Sequence, residues 1–320
     1  MVRPETTTCD PLPPFTILRS PLAILTEELQ ELPRSRPIVL PNVTCAYCGC
    51  ALTEKSASKE HVIGRRFVPV GTLYQEWNLI LRVCRPCNVK KSDLEDDISV
   101  ITMHHDAFGN APSTEAAAEV QRKKNKSQSR KTGKSVGDSI ENVMMQASIG
   151  TAATMTFSFT GPPQIESQRA FELARLQMVG FFYFLTYNQE KKCGHFWQGG
   201  FFPIMEAVKA DWGNNIHRSF MGTVIDWEPR LLFSTAKDHF SATIRKHPSF
   251  DLWSWAVEWN KSYRIVGFFG QEIPAREALA ALPSLEITSI AESETRWVRY
   301  RVDTPLKAEE DMLFFWQCAD

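Results

Sequence analysis

Hydrophobic and polar positions change their spacing several times along the chain. After a Pro- and Thr-rich start, residues 20–32 show helical spacing behind a capping residue, which predicts a short helix. The stretch TAATMTFSFTG alternates as a strand does, and residues 166–191 predict a long helix. The second half of that helix is apolar almost all round, so we expect Phe181, Phe182 and Leu185 to be buried.

Strand-like segments recur in the last third of the chain. They read HFSATIRKH, LWSWAVEWN, SYRIVGFFG and RWVRYRV. Together with the long helix they predict an α+β domain over residues 151–320, in which that buried helix packs against a mainly antiparallel sheet. Trp253, Trp255 and Trp259 alternate within one segment. This pattern is more typical of a core or a sheet surface than of a base-stacking platform, which remains the alternative.

The composition and net charge of the whole chain say little about its function, but one segment has a marked charge. The 320 residues are enough for two domains, 43% of them are hydrophobic, and the net charge of −1 does not indicate a nucleic-acid binder. Residues 121–135, however, carry seven Lys and Arg and no acidic residue. They predict a flexible basic linker or arm within residues 111–150, for which a solvated loop and a DNA-contacting arm are both open.

Export and membrane signals are not evident in the sequence. The start, MVRPETTTCDPLPPFTIL, lacks the apolar centre of a signal peptide, and the apolar run VGFFYFL is too short to span a bilayer. We therefore expect a cytoplasmic protein with no membrane partner. Because a reducing compartment disfavours disulfides, clustered cysteines are predicted to be metal ligands.

Two Cys-x-x-Cys pairs, Cys45/Cys48 and Cys84/Cys87, are separated by 35 residues. Zn²⁺ takes four thiolates tetrahedrally in a structural site, so these four cysteines predict one zinc ion. Cys50 could replace Cys48, but the two-residue spacing favours Cys48, and four unrelated buried cysteines remain the alternative. The other cysteines are expected outside the site: Cys9, Cys50, Cys193 and Cys318.

The segment between the pairs contains groups that a purely structural zinc site does not need. In EHVIGRRF, Glu60 offers the hard oxygen that Mg²⁺ or Mn²⁺ prefers, and His61 suits general-base work at neutral pH. Asn88 offers a second hard oxygen at the start of a helix predicted to begin at Cys87 or just before. Asn78 can hydrogen-bond backbone and fix a loop. A strand–loop–strand–helix unit follows from this order.

The pattern CAYCG, EHVI, N and LRVCRPCNVKK resembles the HNH endonucleases, the ββα-metal nucleases. The resemblance covers about 55 of the 320 residues and indicates an HNH domain over residues 38–110, behind an N-terminal segment of residues 1–37. Glu stands where Asp is commoner before His, and Asn where a final His is commoner, and both keep the ligand chemistry. Because neighbouring strand residues point to opposite faces, Glu60 and His61 can serve one site only where the backbone bends.

The resemblance implies a metal-dependent hydrolase that nicks DNA. His61 would be the general base, Glu60 and Asn88 would hold a catalytic Mg²⁺ or Mn²⁺ ion, and Asn78 would orient the His61 loop. The residues expected to contact phosphate are Arg65, Arg66 and Lys91. Restriction or anti-phage defence is an analogy with two-domain HNH proteins.

Other functions remain open beside the nuclease. A zinc-stabilised nucleic-acid-binding module without catalysis would need the cysteines but not Glu60, His61 and Asn88. A nuclease toxin is a third possibility, although no export signal supports it. For the C-terminal domain, the candidate roles are selection of the target, regulation of cutting, formation of a homodimer and recognition of a partner protein.

Overall fold

The computed structural model describes residues 37–106, 109–149, 153–292, 297–300 and 302–314. The helix predicted at residues 20–32 lies outside these ranges, as do Cys9 and Cys318. Helices and mainly antiparallel sheets alternate along the described chain, so the predicted α+β class is confirmed. Within the described ranges, every helix is too short or too polar to cross a membrane.

The cysteine-containing part forms a small sheet followed directly by a helix. Strand β2 (Ala57–His61) pairs antiparallel with β3 (Leu79–Cys84), and β1 (Ile38–Val39) pairs parallel with β3 on its other side. Helix α1 (Arg85–Met103) starts at the residue after β3 with Pro86 in its first turn, where a missing N–H leaves no bond unmade. The helix therefore starts two residues before Cys87, in agreement with the prediction.

The predicted flexible arm at residues 121–135 is folded, so that prediction is wrong. Helix α2 (Thr114–Lys123) runs into it, and the Ser113 hydroxyl caps this helix by accepting a hydrogen bond from the Ala116 N–H at 3.0 Å. Further along, the backbone N–H of Arg130 donates to Asp97 on α1 at 2.9 Å. A charge-rich segment without apolar residues is thus ordered by hydrogen bonds to the acids of α1 rather than by a core of its own.

The rest of the chain is built around one long helix and one sheet. Helix α3 (Ser167–Leu185) buries Phe181 and Phe182 and half-buries Leu185. The antiparallel sheet has the order β6-β10-β9-β8-β7. Strands β4 and β5 form a separate two-stranded sheet, as do β11 and β12. In chain order, the remaining strands and helices are β4 (Glu141–Ile149), β5 (Ala153–Gly161), β6 (Gly200–Val208), α4 (Asn215–Val224), β7 (Glu228–Thr235), β8 (Phe240–Lys246), β9 (Leu252–Trp259), β10 (Tyr263–Gly270), α5 (Glu272–Ala280), β11 (Thr288–Glu292) and β12 (Trp297–Tyr300).

The tryptophans of β9 belong to the core. Trp255 and Trp259 are fully buried, and the Trp259 indole N–H donates to Gln177 of α3 at 3.0 Å. Trp253 is half-buried and its ring packs edge-on against Phe182. The core interpretation is therefore correct for Trp255 and Trp259, because rings enclosed in this way cannot stack on bases.

The two halves of the chain share one hydrophobic core. Residues of β3 and of the turn directly after β2, Val62 and Ile63, belong to the same buried cluster as α3 and the large sheet. Trp77 stacks on Phe181 with ring centroids 6.2 Å apart, and the Thr235 hydroxyl donates to the Trp77 carbonyl at 2.7 Å. The N-terminal unit predicted as a separate domain is thus packed directly against the C-terminal part, and the segment between them also folds onto α1.

Gly180 of α3 packs tightly against Val62 of the N-terminal part, and its substitution tests that packing. A Cβ at this position would lie 2.9 Å from a methyl of Val62, whereas a Cβ at Gly222 of α4 would meet no atom within 4 Å. Alanine at an exposed helix position such as Gly222 is expected to stabilise the fold by about 0.5–1 kcal/mol. Gly180→Ala should lower the unfolding free energy instead, by about 1–3 kcal/mol. Urea unfolding of both variants checks this, and equal stabilisation would contradict the packing.

Candidate metal centre and histidine loop

Four thiols converge where β3 meets α1. The sulfurs of Cys45, Cys48, Cys50 and Cys84 all lie within 4.8 Å of one another, and those of Cys48 and Cys84 are 3.7 Å apart. Four thiolates bound tetrahedrally at about 2.3 Å from one ion would be about 3.8 Å apart. The donors and their spacing fit a metal ion such as zinc.

The position of Cys50 corrects the predicted ligand set. A tight turn folds it back onto Cys45, whose backbone N–H donates to the Cys50 carbonyl at 2.7 Å. Gly49 makes the turn possible because its φ of +75° is a left-handed conformation that glycine adopts without strain. Cys87 lies outside the group of four, although its thiol contacts those of Cys84 and Cys48. Five thiols therefore surround a site that needs four.

Other features of the cysteines agree with a metal site. Cys193 is buried outside the group, as predicted. Burial raises the pKa of the Cys84 thiol, but hydrogen bonds from the Cys87 backbone and from the neighbouring thiols outweigh this and lower it to about 7. A thiol that ionises near neutral pH is a better metal ligand, since the thiolate is the form that binds.

Asn78 holds the turn that follows His61. Its side-chain N–H donates to the Ile63 carbonyl at 2.9 Å, and its side-chain oxygen accepts from the Ile63 N–H at 3.3 Å. Asn78 is itself buried at the start of β3, so the amide is rigidly placed. Both bonds are made to the backbone two residues beyond His61, which is the kind of contact expected of a residue that orients this loop.

A buried ion triad fixes the same turn from the other side. Lys91 of α1 is completely buried, with its Nζ 2.7 Å from a Glu60 oxygen and 2.5 Å from a Glu95 oxygen. The ammonium also donates to the His61 carbonyl at 3.1 Å. Although burial opposes the charge on Lys91, the two carboxylates raise its pKa. The ammonium is therefore held charged against the backbone of His61.

The predicted phosphate contact by Lys91 is therefore wrong. A fully buried ammonium with two carboxylate partners cannot reach a phosphate at the surface. The partner that sequence reasoning missed is Glu95, which also accepts a hydrogen bond from the Gly64 N–H at 3.3 Å. Its spacing of four residues from Lys91 on a predicted helix was the available signal.

His61 is the last residue of β2 and is half-buried; its pairing with Ile80 continues the register of Glu60 with Leu81, and the chain bends only in the turn directly after it. Burial, with smaller contributions from the cations Arg65, Lys59 and Lys91, lowers the pKa of its imidazole to about 4. The ring is therefore neutral at neutral pH and has a lone pair available to accept a proton.

Asn88 and Glu60 lie on the same side of the β2–α1 contact. The Asn88 amide donates to the Ser58 hydroxyl at 2.5 Å. Ser58 and Glu60 are two residues apart in β2, so their side chains point to the same face of the strand. Carboxylate and amide oxygens fit a hard divalent ion. The Lys91 ammonium already pairs with the buried carboxylate of Glu60. A metal ion bound to Glu60 would therefore compete with Lys91 for the carboxylate. Within the described residues, the cysteines form the only cluster of three or more metal-ligating groups.

Two basic residues lie at the surface beside the His61 turn. Arg65 and Arg66 are both exposed, and the Arg66 carbonyl accepts a hydrogen bond from the Lys123 ammonium at 2.6 Å. Their side chains can therefore reach a phosphate, in contrast to Lys91.

Replacing Lys91 by methionine is expected to destabilise the fold strongly. The substitution keeps the volume but leaves the buried Glu60 and the half-buried Glu95 without their cation, which costs about 3–5 kcal/mol. Urea unfolding measures the loss. Lys90→Met is the matched control, because the Lys90 side chain is 58% exposed and its ion pair with Glu172 contributes at most about 1 kcal/mol. Similar stabilities of the two variants would contradict the triad.

Comparison of the chain with protein-family models, with curated proteins and with solved structures finds no match. Inference about function therefore depends on the residues and contacts described above.

Proposed function

We propose that the protein is a metal-dependent HNH endonuclease that hydrolyses phosphodiester bonds in DNA, with His61 as the general base. The observation that carries the proposal is the fixed turn beyond His61. The backbone of residues 61–64 accepts hydrogen bonds from, or donates them to, the side chains of Asn78, Lys91 and Glu95. The imidazole of His61 is left half-exposed and neutral. A site that only stabilises a fold needs no such support for a neutral histidine.

The proposed zinc ion would act on the junction between β3 and α1. Cys84 is both the last residue of β3 and the N-cap of α1, and Cys45 and Cys48 approach it from the preceding turn. Ligation of Cys84 would fix the direction in which α1 leaves the sheet. Since α1 carries Asn88, Lys91 and Glu95, this junction sets their positions relative to His61.

In the proposed reaction, His61 accepts a proton from the water that attacks the phosphorus atom. The positive charges of Arg65, Lys59 and Lys91 contribute to the low pKa of its imidazole. A phosphodiester bound beside Arg65 would offset these charges and raise the proton affinity of the imidazole toward the value that suits a base.

A divalent ion between Glu60 and Asn88 would stabilise the charge on the leaving 3′ oxygen. The products would carry a 5′-phosphate and a 3′-hydroxyl. One site of this kind cuts one strand, so the monomer should nick a duplex.

The test is a plasmid-nicking assay. Supercoiled DNA is incubated with the purified protein and Mg²⁺ or Mn²⁺, and EDTA added in excess of the divalent ion serves as the negative control. Conversion to the open circular form only with the divalent ion supports the proposal.

A second candidate function is a nucleic-acid-binding module without catalysis. The contact between Glu60 and Lys91 favours it, since this carboxylate already has a cation partner. Protein that binds DNA but produces no open circles with any divalent ion would establish the module and overturn the nuclease.

A further inference from the structure

A basic surface lies next to the turn that follows His61. Residues 121–135 contain seven Lys and Arg and no acid, and they are folded against α1. Serines anchor this segment: Ser129 is fully buried, and the buried Ser127 donates a hydrogen bond to Asp96 at 3.4 Å. The backbone that carries the lysines on either side of these anchors therefore has a defined position, as its hydrogen bonds at Lys126 and Lys134 also show.

One contact joins this segment to the histidine turn. The Lys123 ammonium donates to the Arg66 carbonyl at 2.6 Å, although the two residues are 57 positions apart in sequence. Arg65, the neighbour of Arg66, is close enough to His61 to lower the pKa of the imidazole. A row of cations thus runs from the edge of the histidine site across Arg66 to the end of α2.

Only part of this positive charge is neutralised within the protein. Arg122 and Lys123 pair with Glu119, and Arg130 pairs with Asp93. Five further cations have no ion pair in the part of the chain that the structure describes, and all are exposed or half-exposed. They are Arg65, Arg66, Lys124, Lys126 and Lys134.

We infer that these five residues form a phosphate-binding surface, here called the basic platform, which holds the backbone of duplex DNA across the His61 turn. The inference deepens the proposed function and rests on it for the choice of DNA. Charge complementarity supports the occupant, because phosphates on a duplex form a dense row of negative charge and lysines on an ordered backbone lose less entropy on contact. The near-neutral chain as a whole would then bind through this local surface alone.

Binding of a fluorescent 20-base-pair duplex without divalent ions tests the platform. In the triple variant Lys124→Gln, Lys126→Gln and Lys134→Gln, we expect Kd to rise at least about tenfold at 0.1 M salt. The slope of log K against log salt concentration should fall by about 2–3, since each lost phosphate contact removes about 0.9. The matched control removes three positive charges elsewhere through Lys191→Gln, Arg276→Gln and Lys307→Gln, and it should bind like the wild type.

The outcomes separate this inference from the proposed function. Equal binding by the triple variant and the wild type, or an equal loss in the control, would overturn the platform. Weaker binding by the triple variant, with a wild type that never nicks, would support the platform and overturn the nuclease. Preference for single-stranded RNA over the duplex would overturn the assignment of DNA. Circular dichroism melts verify that all variants are folded, as expected for substitutions at the surface.

Discussion

Cys84→Ser is expected to lose the bound metal and to unfold much of the β3–α1 junction. Cys84 contributes a thiol to the cluster, and its backbone N–H also donates to the Cys45 sulfur at 3.3 Å. Binding of structural zinc contributes folding free energy, with apparent values of about 10–16 kcal/mol at neutral pH. Serine is a poor substitute ligand for Zn²⁺, so most of this stabilisation should disappear. Zinc content by atomic emission and a thermal melt by circular dichroism measure both effects.

Three further serine variants complete this experiment. Cys193→Ser is the control, since Cys193 is buried but outside the cluster, and it should keep its zinc. Because Zn²⁺ takes four ligands and five thiols surround the site, only one of Cys50→Ser and Cys87→Ser should reduce the zinc content. A Cys84→Ser protein that stays folded, metal-free and as stable as the wild type would rule out the metal centre.

His61→Ala is expected to abolish metal-dependent nicking while zinc content and DNA affinity stay nearly unchanged. The thiols that would hold zinc and the exposed arginines that would contact phosphate are all retained. Only the proton acceptor is lost, and such a group typically contributes about 10²–10⁴-fold in rate. The rate of conversion of supercoiled plasmid, measured with DNA affinity on the same preparation, gives the result.

Comparison with other variants separates the base from the metal ligands. Glu60→Ala and Asn88→Ala should also lower the nicking rate, but excess Mn²⁺ should partly restore it, because these residues would bind the ion. No concentration of Mn²⁺ should restore His61→Ala. His105→Ala, a half-buried histidine beyond the end of α1, is the control and should cut normally. Unchanged nicking by His61→Ala would show that another group is the base.

Local patterns in the sequence were sufficient to predict some of the elements, but α2 and β4 lie where a flexible linker was predicted. The apolar second half of α3 and the alternating segments of β8, β9 and β10 are each encoded within a few residues, so periodicity identifies them. The same holds for α1, whose start is marked by Pro86 just after a strand. Convergence of Cys45, Cys48 and Cys84 also follows from the ligand spacing alone.

Features that depend on distant partners could not be predicted. The spacing of the cysteines along the chain does not show whether Cys50 or Cys87 is the fourth thiol of the cluster, because this depends on how the turn at Gly49 folds back. Glu95 pairs with Lys91 one turn earlier on α1, which the spacing indicates, but its contact with the Gly64 N–H, 31 positions earlier, depends on how the chain folds back. The order of residues 121–135 likewise depends on acids of α1. Composition predicts disorder only when such partners are missing.

The packing of Gly180 against Val62 determines how the protein opens as well as how it folds. Because β3 and Val62, the residue directly after β2, share their core with α3, the hairpin that carries His61 has no cooperative unit of its own. Local fluctuations that expose only the hairpin would also have to uncover Phe181 and Trp77. Backbone amides of β3 and of α3 should then exchange with solvent through the same global opening. The histidine turn would keep its geometry for as long as the whole fold survives.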